Sequence, residues 1–255
     1  MKYWIVSKED ETSKEIKETL LEKINMELTQ KNPDLVVVIG GDGTFISAVH
    51  QFPNAIFLGI HTGHLGFYAN YTLETVSKMI EDINHQSYQI EKIDVLECEL
   101  NTCEQQIQAF AINEMTIIKP PKTLILNVNI DHQKLETFRG TGLCISTAYG
   151  STAYNKSLLG AVVDPSLKAF QIAEIAGINS NQYRTLSSPL LLSQERTVTL
   201  EVEQKEEVFL TIDHLSYHLK NFSSATIKLN VGKISLAHPK GITFVERIKR
   251  TFLKE

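Results

Sequence analysis

The stretch with the clearest chemical potential places a carboxylate among glycines: Gly40, Gly41, Asp42 and Gly43 follow the apolar run Leu35–Ile39. Glycines let a backbone turn sharply and let phosphate oxygens approach its N–H groups closely. A carboxylate repels phosphate, so Asp42 makes sense if it takes a proton from an attacking hydroxyl group or holds a Mg²⁺ ion that bridges phosphates. A tight strand-to-helix turn with Asp42 as the helix cap is an equally good alternative at this stage.

A second glycine-rich stretch, residues 59–68, ends the next apolar run along the chain. Ligand loops of open parallel sheets lie at the carboxyl ends of adjacent strands, so we expect the two loops to face one cleft. His61 and His64 have no carboxylate or third histidine at ligand spacing. They are therefore interpreted as histidines bonded to the backbone rather than as metal ligands. Phe67 either stacks on a ligand or belongs to the core.

Three more polar groups occur further along the chain. Asn113–Glu114 offers the donors and lone pairs that suit vicinal ribose hydroxyls, although a turn is the alternative. Residues 139–142 and 146–155 form the longest run of small polar residues, in which Tyr154 could present its ring to a flat base; an ordinary loop is the alternative. Asp213–His214 says little by itself.

The pattern of elements predicts two domains that position these groups. In the first ninety residues, the strand-like runs Tyr3–Val6 and Leu35–Ile39 alternate with the helix-like segments Ser13–Leu28 and Thr72–Ile83, which predicts a three-layer α/β domain. Short alternating segments then predict antiparallel strands of a β-sandwich, at Val95–Leu100, Ile107–Ile112, Leu124–Ile130, Val198–Val202, Val208–Ile212 and Ile227–Val231. One helix is predicted among them, from Pro165 to Ala176.

Composition narrows the class of protein. The 255 residues are 42% hydrophobic, enough for a packed core, and their net charge of −5 lacks the basic surplus of a nucleic-acid binder. No apolar run approaches the roughly 18–20 residues that span a bilayer, and the start of the chain does not suit a signal peptide. Three cysteines without zinc-ligand spacing predict neither a disulfide framework nor a zinc site, so we expect a cytoplasmic protein.

Taken together, these stretches resemble the NAD kinase family in its short bacterial form. The resemblance rests on residues 40–44, residues 61–67, Asn113–Glu114, residues 150–155 and Asp213–His214, and runs from about Lys2 to Phe252. Lipid kinases and phosphofructokinase-like enzymes carry related glycine loops, whereas the later segments are more specific. The resemblance implies an α+β two-domain fold. An N-terminal α/β domain would span 1–93, with a tail at 240–255 packing back onto it, and a mostly antiparallel β-sandwich dinucleotide-binding domain would span 94–239.

The family transfers the γ-phosphoryl group of ATP, or of polyphosphate, to the 2′-hydroxyl of the adenosine ribose of NAD, giving NADP. The resemblance implies Mg²⁺ or another divalent cation held through Asp42 and the phosphates, ATP as donor, and Asp42 as general base. The substrate-binding residues that it implies are Gly41, Gly43, Thr44, Phe67, Asn113, Glu114, Arg139, Thr141, Thr152, Ala153, Tyr154, Ser157, Ala176, Asp213 and His214. It also implies a homo-oligomer, a tetramer or a dimer, in which Tyr183 and Arg184 complete a neighbouring subunit's site. NAD and ATP are the expected partners, with no nucleic acid and no membrane.

Two departures from the family pattern leave alternatives open. Thr141 stands where the family usually has an Asp near the nicotinamide end, and Ala148–Tyr149 replaces a turn that usually contains Pro. Loss of a Pro loosens a turn. We predict an NAD kinase, with two rivals: a non-catalytic or slow dinucleotide-binding module, which Thr141 favours, and a lipid or other small-molecule kinase that shares the glycine loop.

Overall fold

A computed structural model describes residues 1–63 and 66–253, and the chain divides into two compact units. The first unit comprises residues 1–93 and 234–255, and the second comprises residues 94–233. His64, which the sequence predicts to bond to the backbone, and its neighbour Leu65 lie outside the described residues. No helix within the described ranges is long and apolar enough to cross a membrane.

The first unit is built on a parallel sheet. Its elements are β1 (Lys2–Ser7), α1 (Glu11–Lys23), β2 (Glu27–Leu28), β3 (Leu35–Ile39), α2 (Asp42–Gln51), β4 (Ile56–Ile60), a 3₁₀ turn (Leu73–Thr75), α3 (Val76–His85) and α5 (Phe244–Phe252). The sheet order is β2–β1–β3–β4, with all pairs parallel. The end of a long strand, β13 (Leu215–His238), adds a further parallel pair at Ser235–Ala237 beside β4.

Helices cover both faces of this sheet. β3 is buried along its whole length, as its continuous apolar run predicts. Its odd-numbered side chains share an apolar cluster with side chains of α1 and α3. The side chain of Val36 points to the face opposite these odd-numbered side chains. Its partner on β4, Phe57, contacts Phe45 of α2 with 5.7 Å between ring centroids. This arrangement confirms the predicted three-layer α/β domain.

A buried carboxylate holds α3 against the loop that precedes it. Asp82 is 3% exposed and accepts hydrogen bonds from Tyr71 Oη at 2.9 Å and Ser87 Oγ at 2.5 Å, and it forms an ion pair with Lys78 Nζ at 2.9 Å. Burial opposes ionisation of this carboxyl group, but the bonds from Ser87, Lys78 and Tyr71 together outweigh burial and hold its pKa below the usual value. The ionised carboxylate therefore stabilises the folded unit.

Replacing Asp82 with Asn is expected to lower the free energy of unfolding by about 3 kcal/mol at neutral pH, because the amide cannot accept all three bonds. The pKa is depressed in the folded state, so the contribution is present above the unfolded pKa and is lost as pH falls through the folded value. The difference from wild type should shrink below about pH 4. Urea unfolding at neutral and acidic pH measures this difference in the free energy of unfolding, with the exposed Glu81→Gln as the matched control. An equal loss of stability at both pH values would contradict the lowered pKa of Asp82.

The second unit is antiparallel. Its elements are β5 (Gln89–Thr102, from Asp94 onward), β6 (Gln106–Ala111), β7 (Glu114–Ile118), β8 (Leu124–Ile130), β9 (Gln133–Thr147), a 3₁₀ turn (Gly150–Thr152), α4 (Tyr154–Ser157), β10 (Ala169–Gly177), β11 (Leu190–Ser193), β12 (Thr197–Ile212) and most of β13. The sheet order is β11–β10–β9–β7–β12–β13. β8 lies between β9 and β12, as β7 does, and pairs with another part of each of these two strands.

The core of the second unit lies between this sheet and the β5–β6 hairpin. Leu96 and Leu100 of the hairpin belong to the same fully buried apolar cluster as Met115 and Leu210 of the sheet. The hairpin and every neighbouring pair of the sheet are antiparallel. These observations confirm the predicted, mostly antiparallel β domain.

The predicted helix from Pro165 to Ala176 is wrong. Ala169–Gly177 is strand β10, paired with β9 on one side and β11 on the other. The spacing of apolar residues here fits a helix, but pairing on both edges supplies backbone partners that no local pattern reveals. Buried Gln171 fits this strand because its amide exchanges two hydrogen bonds with the backbone of Ala161.

Other boundaries differ by a few residues. The predicted helix Ser13–Leu28 begins earlier, because Asp10 caps it by accepting from Ser13 N at 2.9 Å, and it ends at Lys23. The predicted strands Val198–Val202 and Val208–Ile212 are one strand, β12, with irregular pairing between them. Residues 234–239, assigned to the second domain from the sequence, belong to the first unit because Ser235–Ala237 pairs with β4.

Candidate active site

Asp42 is the first residue of α2, and its carboxylate is held in one orientation. Oδ2 accepts from Phe67 N at 2.8 Å and Oδ1 accepts from Tyr68 N at 3.2 Å. Burial raises the pKa of this carboxyl above its usual value, although the two N–H bonds and the positive charge that His61 carries when protonated act in the opposite direction. The structure thus brings the two glycine-rich loops together around a carboxylate whose pKa is shifted toward that of a working base.

Gly66 is required by the closeness of Asp42. A Cβ atom at position 66 would lie 2.0 Å from Asp42 Oδ1, so no larger residue fits without moving the carboxylate. Phe67 is 4% exposed, and its side chain packs within the first unit, with its ring edge-on to Phe244 at 6.3 Å between centroids. Its backbone N–H, rather than its ring, is the group that faces Asp42.

His61 is bonded to the backbone, with its Nδ1 3.2 Å from Gly63 O. Because a carbonyl only accepts, Nδ1 carries the proton and Nε2 of the neutral ring is an acceptor. Nε2 is buried and has no partner among the residues that the structure describes. Burial lowers the pKa of this imidazole, so it is neutral near physiological pH and can accept a hydrogen bond from a ligand.

The start of α2 is open to an anion. Among residues 1–63 and 66–253, no side chain caps the helix at Gly41. A Cβ atom added at Gly41 or at Gly43 would meet no atom of these residues within 4 Å, so packing among them does not explain the glycines. Uncapped N–H groups at a helix N-terminus favour negative charge, and the absence of Cβ atoms lets phosphate oxygens reach them. Thr44 lies half-buried in the same turn.

In the second unit, Asp213 fixes the turn that carries Asn113 and Glu114. Asp213 Oδ2 accepts from Ile112 N at 2.8 Å, and Oδ1 accepts from Asn113 N at 2.8 Å and Glu114 N at 3.3 Å. Asp213 N donates back to Glu114 O at 3.0 Å. Thr147 holds the same turn from the other side through Oγ1 to Ile112 O at 2.6 Å and N to Asn113 O at 2.9 Å. The turn is therefore rigid.

Several buried polar atoms near this turn lack partners within the described part of the chain. They are Glu114 Oε2, Ser146 Oγ, and both side-chain polar atoms of Asn155. Glu114 and Ser146 face each other across β7 and β9. Since buried polar groups almost always have hydrogen-bond partners, these atoms form a candidate site for a polar ligand. The sequence pointed to Glu114 and to the run 146–155, but it did not distinguish Ser146 and Asn155 within that run, because only the fold buries them.

Glu114 is the most strongly perturbed carboxyl group of this region. Burial and, second, the negative charge of Asp213 raise its pKa to about 7, although a hydrogen bond from the Tyr154 backbone N–H acts in the opposite direction. A carboxyl group with such a pKa is half ionised at physiological pH. It can therefore accept hydrogen bonds from vicinal hydroxyls at a modest cost in stability.

Replacing Glu114 with Gln is expected to stabilise the protein without ligand at alkaline pH by on the order of 2 kcal/mol. Because the folded pKa is raised, the penalty is absent below the unfolded pKa, grows as pH rises, and is complete above about 7. Unfolding of wild type, Glu114→Gln and the exposed control Glu203→Gln at acidic and alkaline pH measures this. A stability gap that does not grow with pH would contradict the raised pKa.

The segment that follows β9 surrounds the turn. Gly150 lies so close to Asn113 that a Cβ atom there would be 2.0 Å from Asn113 O. Thr152 and Ala153 are half-buried, whereas Tyr154 and Ser157 are exposed at α4. His214 is exposed in the two-residue turn that Asp213 begins. Gly150, Tyr154 (whose backbone N–H donates to Glu114) and His214 (next to Asp213) therefore lie at the turn that carries Asn113 and Glu114.

Arg139, Thr141 and Ala176 lie apart from that group. Thr141 is five residues along β9 from Ser146, which faces Glu114, and this corresponds to roughly 17 Å. Ala176 is beside Gly140, and the Arg139 guanidinium lies 4.2 Å from the centre of the Tyr183 ring. The Thr141 side chain is exposed, and nothing in the second unit explains the threonine.

One cavity is remote from the candidate residues. It has a volume of about 660 Å³ and lies at the amino ends of β3 and β4, lined by residues 32–34 and 51–56. Asp42 follows the carboxyl end of β3. The cavity therefore lies at the opposite edge of the sheet from the glycine loops.

Comparisons with known proteins agree with both units. Residues 5–88 match the model of the ATP-NAD kinase N-terminal domain, and residues 112–235 match that of the ATP-NAD kinase C-terminal domain. An NAD kinase of Staphylococcus saprophyticus is 39% identical over 99% of this chain and 98% of its own length. An NAD kinase of Staphylococcus aureus is 37% identical over the same shares.

Solved structures share the fold. A yeast NADH kinase in complex with NADH has a TM-score of 0.84 at 20% identity, covering 98% of this chain and 86% of that one. An NAD kinase from Archaeoglobus fulgidus in complex with ATP has a TM-score of 0.76 at 22% identity, covering 100% of this chain and 97% of that one. With both domain models matched and relatives near 40% identity over the whole length, the chain belongs to the ATP-NAD kinase family.

Proposed function

We propose that this chain transfers the γ-phosphoryl group of ATP to the 2′-hydroxyl of the adenosine ribose of NAD, with Asp42 as the general base. The observation that carries this assignment is the Asp42 carboxylate, fixed by two backbone N–H groups at the uncapped start of α2. Its raised pKa suits a base that must be ionised at working pH and must still bind a proton as the hydroxyl attacks. The proton of the 2′-hydroxyl passes to Asp42 as the oxygen attacks the γ-phosphorus and ADP leaves.

Asn113 and Glu114 bind the adenosine part of NAD. The Glu114 carboxylate accepts hydrogen bonds from ribose hydroxyls, which supplies the partner that its buried Oε2 lacks within the described residues. Asp213 and Thr147 keep the Asn113–Glu114 backbone in place. Thr152, Ala153, Tyr154 and Ser157 line the dinucleotide site around them, and His214 lies toward its phosphate end.

The phosphates are bound by the first unit. The N–H groups at the start of α2, beside Gly41, Gly43 and Thr44, receive phosphate oxygens, because a helix N-terminus attracts negative charge. His61 Nε2 accepts a hydrogen bond from a hydroxyl group or a bound water molecule. Binding energy at the phosphates then orients the reacting atoms.

The donor set fits Mg²⁺ as a cofactor shared with the substrate. The described residues contain no group of three or more metal-ligating side chains, and Mg²⁺ is typically held by one or two carboxylates together with substrate phosphates. Asp42 has free lone pairs besides those that accept from Phe67 and Tyr68. When bound, the ion neutralises the charge that develops on the transferred group.

We also propose a homo-oligomer. Arg139 packs on the ring of Tyr183. Arg139 is on β9, seven residues before Ser146, which faces Glu114. Their distance from the Glu114 turn suggests that they complete the site of a second copy, together with Thr141, Ala176 and Arg184. A dimer or tetramer by light scattering supports this proposal, and a monomer in the presence of NAD overturns it.

The function is tested with purified protein, NAD, ATP and Mg²⁺, with NADP detected by an NADP-specific dehydrogenase. NADP formation that requires all three components supports the proposal. Clear NAD binding by calorimetry with no NADP from ATP or polyphosphate would overturn it in favour of a dinucleotide-binding module. Absence of both turnover and NAD binding would overturn the NAD site as well.

A further inference from the structure

The C-terminal helix α5 contacts the segment 66–70 at two points. Arg250 Nη2 donates to Ala69 O and to Asn70 Oδ1, both at 3.3 Å. Six residues earlier, Phe244 meets Phe67 edge-on, with 6.3 Å between ring centroids. All of these residues belong to the first unit.

The same segment holds Asp42 on its other side. Phe67 N and Tyr68 N are the two donors to the Asp42 carboxylate, and the Tyr68 ring stacks on Phe45 of α2 at 4.9 Å. Gly66 leaves no room between segment and carboxylate. A displacement of the segment therefore moves the donors and the carboxylate together, because the contacts leave no slack to absorb it.

α5 is firmly anchored, so it can fix this segment. Arg247 is 4% exposed and bonds to Glu91 Oε2 at 2.5 Å. Thr243 and Glu246 form a reciprocal cap at the helix start. The helix thus has its own attachment to the unit, independent of residues 66–70.

The guanidinium of Arg250 is directed at neutral acceptors. It is half-buried, forms no ion pair within the described ranges, and leaves Nε buried without a hydrogen bond, although the charge of Glu246 attracts it. Burying a cation against two neutral acceptors costs free energy. The hydrogen bonds to Ala69 O and Asn70 Oδ1 offset part of this cost and attach the segment to α5.

We propose that Arg250 and Phe244 are positioning residues: through segment 66–70 they hold the Phe67 and Tyr68 N–H groups on Asp42, so that α5 sets the orientation of the base. This inference rests on the proposed role of Asp42. Neither residue is catalytic, because each acts through the segment. The tail of the chain is then part of the catalytic apparatus rather than only a packing element.

The experiment compares Arg250→Ala and Phe244→Ala with Lys249→Ala, which removes an exposed cation from the same helix turn. Deuterium exchange on the full chain without substrate reports the protection of residues 66–70. Separate measurement of kcat and of KM for NAD and ATP distinguishes a misplaced base, which lowers kcat, from a general loss of structure, which alters both. Phe244 is neutral, so an effect of Phe244→Ala on kcat cannot come from the loss of a charge near Asp42 or His61. Phe244→Leu and Arg250→Lys serve if the alanine variants do not fold.

We expect faster exchange at residues 66–70 in both alanine variants. We also expect kcat to fall about 10-fold while KM for NAD and for ATP changes little, because the carboxylate moves with the segment away from its working orientation. Lys249→Ala should match wild type both in exchange at residues 66–70 and in kcat. A KM that rises together with the fall in kcat, or unchanged exchange at residues 66–70, overturns the positioning role. If Asp42→Asn keeps wild-type kcat, the proposed role of Asp42 as the base is wrong. The exchange data still show in that case whether α5 holds residues 66–70 in place.

Discussion

Replacing Asp42 with Asn is expected to lower kcat by about 10³-fold while NAD affinity changes little. The amide cannot accept the proton of the attacking hydroxyl, and it offers one acceptor oxygen where Phe67 N and Tyr68 N now bind two. NAD binding should persist because Asn113 and Glu114, which are proposed to bind the ribose, lie in the other unit and are held by Asp213.

The pH dependence of kcat gives a second reading of the same change. Wild-type kcat should fall on the acid side as Asp42 becomes protonated, and burial places this limb above the range of an ordinary aspartate, about pH 3.9. The residual activity of Asp42→Asn should lack that limb. Asp10→Asn is the matched control, since it makes the same chemical change at the cap of α1 in the same unit. A variant with near-wild-type kcat would remove Asp42 from the mechanism.

The sequence predicts those parts of the site that depend on neighbours in the chain. The apolar run Leu35–Ile39 followed by glycines specifies a buried strand, a turn and a helix start, and all three are present. Local patterns carry this information because strand and turn preferences act over a few residues. The wrong helix prediction for β10 has the same cause, because β10 is a strand only through its pairing with β9 and β11, which lie outside the local sequence.

The sequence could not predict the contacts that orient the candidate groups. Asp42 and Phe67 are 25 residues apart, and Asp213 and Asn113 are 100 residues apart. No pattern of residue types indicates that a backbone N–H will meet a particular carboxylate at such a separation. Asp213 was identified only by resemblance, and its action on the backbone of the turn is visible only once β12 and β7 are paired.

Replacing Asp213 with Ala is expected to lower the free energy of unfolding by about 4 kcal/mol, because the backbone N–H groups of the Ile112–Glu114 turn lose their common acceptor. Part of this loss, about 1 kcal/mol, comes from placing alanine at a φ of +53°. His132→Ala is the matched control for that part, since His132 is exposed and has a φ of +66°. Urea unfolding of the two variants separates the strain from the hydrogen bonds.

The same variant should weaken NAD binding by about 10²-fold, since a turn that shifts by an ångström misplaces both Asn113 and Glu114. The NAD affinity of Asp213→Asn should lie between those of wild type and Asp213→Ala. Asparagine tolerates the left-handed backbone and keeps one acceptor oxygen, but its amide N–H₂ group faces backbone donors where the second carboxylate oxygen accepted. Calorimetry with NAD at a temperature where all variants are folded separates the site from stability. An Asp213→Ala protein that unfolds like His132→Ala and binds NAD like wild type would show that the turn holds its shape without Asp213. Graded losses in affinity from wild type through Asn to Ala would show that the carboxylate, acting on the backbone, sets the position of the groups that bind the ribose.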